Sequence, residues 1–141
     1  MASEHRDYSA TPLAKKMGIR EGSRVLVTGA PDGFDLGPLP TGVQRLARAG
    51  RGMDVVLLFV TARTGLRRRL EALARGLDPA GRLWVAWPKR TSTVASDLDF
   101  ATVQRTGLEL GLVDNKSASV NEDFQALQFV YRLRDRADLR R

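Results

Sequence analysis

The sequence contains no cysteine, so disulfides, thiolate zinc sites and cysteine nucleophiles are excluded together. Its one histidine, His5, lies near the amino terminus. A lone imidazole builds neither a histidine metal site nor a Ser-His-Asp triad, and no metal site is expected. Long apolar runs are also missing. The longest, Val55 to Val60, is far too short to span a bilayer and reads as a buried strand. The first ten residues, MASEHRDYSA, carry Glu4 and Asp7 and no apolar stretch, which excludes a secretory signal and points to a cytoplasmic chain. Aromatic residues are scarce, and those of the middle segment, Phe59, Trp84 and Trp87, lie in apolar strand-like runs where core packing explains them better than base stacking. That removes the stacking platform of a single-strand nucleic-acid binder.

What is present is ordinary globular material: 141 residues, 43% hydrophobic and 28% charged, enough for one domain with a real core. The net charge of +7 is uneven. Residues 41 to 90 hold eleven basic side chains, ten Arg and Lys89, against Asp54, Glu71 and Asp78, a local +8. Such a segment can attract an acidic protein, a phosphorylated ligand or nucleic acid. An alternative is a solvated surface in an arginine-rich proteome, since 19 of the 23 basic residues are Arg.

The periodicities order the elements. Residues 1 to 10 read as a flexible amino terminus. Thr11-Pro12 starts a short helix that Gly18 ends. Arg24 to Thr28 is a first strand, and the Gly/Pro-rich stretch to Pro40 is a loop. Thr41 is expected to cap a short helix through Ala49. Asp54 to Thr61 is the clearest strand. Thr64 then caps a helix in which Leu66, Leu70, Leu73 and Leu77 form one buried stripe, while Arg67 with Glu71 and Glu71 with Arg75 pair at i,i+4. Asp78 to Gly81 is a turn, Arg82 to Trp87 a third strand stopped by Pro88, and Trp84 and Trp87 face opposite sides of the sheet. Asp99 caps a helix whose Phe100, Val103, Gly107 and Leu110 share a face. Leu112 to Val120 and Leu127 to Leu133 close the domain as an antiparallel hairpin. Residues 134 to 141 form a charged tail expected to fray.

The segment from Asp54 to Pro88, a strand opening on Asp, a helix, a D-P-x-G-R-L turn and another strand, followed by a helix and a terminal hairpin, resembles the second half of a class I S-adenosylmethionine-dependent methyltransferase. The stretches TPLAKKMGI, DVVLLFVTAR, GRLWVAWPKR and LGLVDNKSASV resemble the bacterial domain of unknown function 3052 family, from Thr11 to Leu133. The resemblance implies a small three-layer, Rossmann-like α/β domain of about five strands, three parallel plus the hairpin, in methyltransferase order without two outer strands. It also implies S-adenosylmethionine as the cofactor to test. The pattern departs from the superfamily where it matters. The turn after the first strand, Thr28-Gly29-Ala30-Pro31-Asp32-Gly33, lacks a G-x-G core, and the strand presenting a ribose-binding acid is missing. The first strand is then expected on an edge, covered by the loop 30–40, the first helix or a second copy in a homodimer.

In such a sheet the loops at the carboxyl ends of the parallel strands converge. The ligand-binding candidates are therefore Gly29, Asp32, Gly33, Thr61, Arg63, Lys89, Arg90, Ser92 and Asp97. Lys89 to Thr93 can hold a phosphate or carboxylate by charge and hydroxyl donors. Asp114, Asn115 and Lys116 form a second polar cluster, with Asp114 and Lys116 on one face by period two, either as an ion pair or with Lys116 reaching the Lys89 loop. Three functions are expected to compete: a non-catalytic ligand- or protein-binding module, a minimal methyltransferase using the Gly29 to Gly33 turn, and a basic nucleic-acid-binding protein.

Overall fold

A twelve-residue strand and a seven-residue strand, both buried along most of their length, run side by side through the centre of the computed structural model, which describes residues 11–139. His5 and the expected flexible terminus lie outside the described residues. The elements run α1 (Leu13–Lys16), β1 (Arg24–Thr28), β2 (Gln44–Arg45), β3 (Met53–Phe59), α2 (Leu66–Gly76), β4 (Leu77–Pro88), α3 (Phe100–Glu109), β5 (Leu112–Ser119), β6 (Phe124–Tyr131), a 3-10 turn (Leu133–Asp135) and α4 (Arg136–Leu139). The fold is mixed α/β. One six-stranded sheet has the order β2-β1-β3-β4-β6-β5, parallel from β2 to β4 and antiparallel from β4 to β5.

Strands covered on both faces need apolar side chains at every position, and Val55 to Val60 is buried throughout. Alternate residues feed two cores. On one face α2 and α3 pack Leu66, Leu70, Leu73 and Val103 against Leu26, Val56, Leu58, Leu83, Val85, Leu127 and Phe129. Gly107 lets α3 approach, since a Cβ there would lie 2.1 Å from the Phe129 ring. On the other face α1 and the 29–43 loop bring Ala14, Met17, Phe34, Leu36 and Leu39 onto Val25, Val55, Leu57, Phe59, Trp84 and Ala86. The third layer is thus mostly loop. The two tryptophans divide as expected, Trp87 into the first core and Trp84 into the second.

Several expectations are corrected. The sheet has six strands rather than five, and the helix expected from Thr41 to Ala49 is a turn leading into β2. An isolated helix of that length between glycines is marginal, whereas the edge of β1 offers unpaired carbonyls. Gln44 donates its amide to Ser23 O (2.8 Å) and Leu46 to Val25 O (2.8 Å). Accordingly β1 is not an edge strand; β2 and β5 are. Thr64 does not cap α2. The N-cap is Gly65 at φ +80°, without a side-chain cap, and Pro12 rather than Thr11 occupies the N-cap of α1. Arg67 turns from Glu71 to Glu109 on α3 (2.9 Å), while Arg75 and Glu71 lie 3.7 Å apart.

Asp78 to Gly81 does turn, but inside β4. The Ala80 amide bonds Asp78 Oδ2 (2.9 Å), and the pairing with β3 slips between Met53 and Val55. Asp99 caps α3 as expected, accepting from the Thr102 amide at 2.8 Å. Strand β6 begins at Phe124 rather than Leu127, because Asn121 Oδ1 accepts from both Asp123 N and Phe124 N and closes a tighter turn. The described part of the tail coils into the 3-10 turn and α4, with Arg136 donating to Tyr131 O (3.3 Å).

Candidate functional site

The carboxyl ends of β1, β3 and β4 bring three loops to one end of the sheet, and strand order reverses there between β1 and β3, the position where open α/β sheets bind ligands. Gly29 follows β1 at φ +76°, in the left-handed region that glycine tolerates. A Cβ at Gly29 would lie 2.5 Å from Phe59 O and 3.2 Å from the Arg69 guanidinium. The space that a ligand-cradling glycine keeps open is occupied by the chain's own carbonyl. The Arg69 amide donates to Gly65 O (3.0 Å) at the start of α2. The cavity beside it, lined by Thr28, Leu58, Arg69, Ala72 and Leu73, is about 180 Å³. Asp32 and Gly33 lie in an exposed turn closed by Phe34 N to Pro31 O (3.1 Å). Phe34 anchors that turn edge-on to Phe59 at 4.8 Å. Thr61 is exposed.

Arg63 and Asp97 are brought together across the end of the sheet. The Arg63 amide donates to Asp97 Oδ1 (2.8 Å), its Nε to Asp97 O (3.1 Å) and its Nη2 to Thr102 Oγ1 (3.0 Å). These bonds clamp the loop before α2 to the start of α3. Next to them, hydrogen bonds from the Thr102 hydroxyl and amide hold the Asp99 carboxyl below its usual range.

Lys89, Arg90 and Ser92 turn instead toward the β5–β6 hairpin. Lys89 Nζ donates to Ser119 Oγ (2.7 Å), Lys89 N to Asp123 O (2.8 Å), and Ser92 Oγ to Asp123 Oδ1 (3.0 Å). Here opens a cavity of about 500 Å³ whose lining includes Trp87, Lys89, Arg90, Phe100, Ser119 and Gln125. Trp87 and Phe100 meet edge to face with centroids 6.3 Å apart. Ligand pockets usually measure about 300–1,000 Å³, so this cavity falls in the working range and the one beside Thr28 and Arg69 below it.

The second polar cluster does not stay on one face. Asp114 pairs with Phe129 and Lys116 with the adjacent Gln128, so a bulge at Asn115 turns Asp114 and Lys116 to opposite sides. Asp114 accepts from Gln104 of α3 (3.1 Å). On the far side Asn115 accepts from the buried Gln128 (2.8 Å), which in turn receives Arg82 (3.3 Å). Lys116 faces Lys15 and Lys16 across a groove of about 660 Å³, not the Lys89 loop. The basic middle of the chain is likewise divided. Arg45 lies on edge strand β2, Arg67, Arg68 and Arg69 on α2, Arg82 beneath α1, and Lys89 and Arg90 at the carboxyl end.

No protein-family model and no curated protein matches the chain. Among the described residues no three His, Cys, Asp or Glu side chains cluster as a metal site, and no helix is long and apolar enough to cross a membrane. Sequence reasoning missed Arg69, Phe100 and the placement of Trp87 beside Lys89. Two signals were available: Phe100 directly follows the N-cap Asp99, where an apolar residue starts a helix half exposed, and Trp87 lies two residues from Lys89.

Proposed function

We propose that this chain is a non-catalytic binding module of methyltransferase-like, Rossmann-like design, with its ligand seat displaced from the nucleoside crevice to the cavity between β4, α3 and the hairpin. The observation that carries the reading is the contrast at one end of one sheet: about 180 Å³ beside Thr28 and Arg69 against about 500 Å³ beside Trp87.

The residues present do not fit S-adenosylmethionine in the place the resemblance assigns to it. Gly29 is exposed, but the side on which a Cβ would stand faces Phe59 O at 2.5 Å rather than open space. Strand β2 stands where a second strand would end in the ribose-binding acid, yet it runs Gln44-Arg45 into Leu46-Ala47-Arg48 without a carboxylate. An adenosine hydroxyl pair would lose its usual acceptor there. Of the acids at this end of the sheet, Asp97 is engaged by Arg63 and Asp32 stands in the exposed turn after Gly29. The basic residues of the middle segment are divided among β2, α2, β4 and the loops between them rather than lined along one element.

Calorimetry with millimolar S-adenosylmethionine tests the reading. No saturable heat is expected. Saturable heat that Asp32→Ala abolishes would replace the module with a minimal methyltransferase working at the Gly29 to Gly33 turn.

A further inference from the structure

We infer that the cavity beside Trp87 takes a small amphiphilic anion, a flat aromatic or acyl body carrying one carboxylate or phosphate head. This inference rests on the binding-module reading and gives it a ligand class.

The apolar half of the site comes from two rings. Trp87 is 2% exposed and belongs to the core, whereas Phe100, in the first turn of α3, keeps 45% of its surface exposed. A half-exposed Phe set edge-on to a Trp leaves aromatic surface that an apolar group can cover without stranding a polar atom. The sheet beyond α3 offers no such group from the chain itself. In the register, Trp87 pairs with Gln125 and Gln125 with Ser119, so the same face continues as an amide and a hydroxyl.

The polar half is cationic. Lys89 and Arg90 line the cavity, and no carboxylate does. Lys89 is held at 2.7 Å by Ser119 Oγ, a neutral partner that fixes the ammonium in position without cancelling its charge. Asp123, the carboxylate tied to this loop, accepts from Ser92 and does not line the cavity. A fixed, uncompensated cation beside an apolar wall selects an anion with an apolar body over either a bare anion or a neutral aromatic.

The two indoles give the test an internal control. Trp84 donates its Nε1 to Met17 O at 2.9 Å on the opposite face, so its signal reports folding while the Trp87 signal reports the cavity. The full chain labelled with 15N is titrated with 2-naphthoate and, separately, with uncharged 2-naphthalenemethanol. The Trp87 indole signal is expected to shift saturably with naphthoate while the Trp84 signal stays, and the alcohol is expected to bind about tenfold more weakly, the loss of one charge-assisted contact. Lys89→Gln should weaken naphthoate to the level of the alcohol, and Phe100→Ala should weaken both probes, with the Trp84 signal unchanged in each variant. Equal affinity for both probes, a Lys89→Gln variant that binds naphthoate like the parent, parallel shifts of both indoles, or no shift at millimolar probe would each overturn the inference. Only S-adenosylmethionine heat lost on Asp32→Ala would overturn the module reading beneath it, so the two failures are separable.

Discussion

The two faces of the sheet are built by different means. One is covered by α2 and α3, whose Leu66, Leu70, Leu73 and Val103 enter the core at helical spacing. The other is covered by a four-residue helix and a loop, and it leans on specific polar contacts: the Trp84 indole on Met17 O, and Gln128 between Arg82 and Asn115. Periodic burial stabilises through close-packed apolar contacts, and removing one large side chain leaves a cavity. The loop-covered face packs an apolar core of its own and adds a few buried bonds, each costly when one partner is left unmade.

Truncating the helical face should have the largest effect. Leu70→Ala, at a fully buried position, is expected to cost about 3 kcal/mol of unfolding free energy in urea denaturation, transfer and cavity terms together. A loss under about 1 kcal/mol would mean that the face collapses to fill the gap. On the loop face, Trp84→Phe should cost about 2 kcal/mol, since it shrinks a buried side chain and strips Met17 O of the indole donor. Thermal unfolding checks the ranking, and the contrast between the faces breaks down if Trp84→Phe proves neutral.

The smallest effect is expected at the α3 cap. Asp99 has its folded pKa lowered from 3.8 by the Thr102 hydrogen bonds and, less, by Arg63 and Arg105. A lowered carboxylate pKa contributes stability above the unfolded value and loses it as pH falls through the folded one. The deficit of Asp99→Ala relative to the parent should therefore be complete at neutral pH and shrink below pH 3.8. Thermal melts from pH 7 to pH 3 follow it, and a deficit independent of pH would remove the carboxylate charge from the cap.

Legibility followed the same division. The α2 stripe, the cap at Asp99, the buried Val55 to Val60 run and the opposed tryptophans could be read because period and capping chemistry are local. Strand β2 could not. Its two residues are exposed and carry no alternation, and they pair only because β1 has an edge to fill, a demand set by tertiary structure. The bulge at Asn115 escaped for the same reason: period two holds only while the register does. At the site, spacing gave the loops that meet at the carboxyl end, but not that Lys89 and Ser92 turn to the hairpin while Arg63 and Asp97 bind each other.

The bulge has a consequence for the protein as a concentrated solute. Strand β5 is one free margin of the sheet, and such margins invite neighbouring molecules to add strand upon strand. A kink at Asn115 with Lys116 beside it offers an incoming backbone neither a straight rail nor a neutral one, so the same residue shift that divides the polar cluster disfavours strand addition from this side.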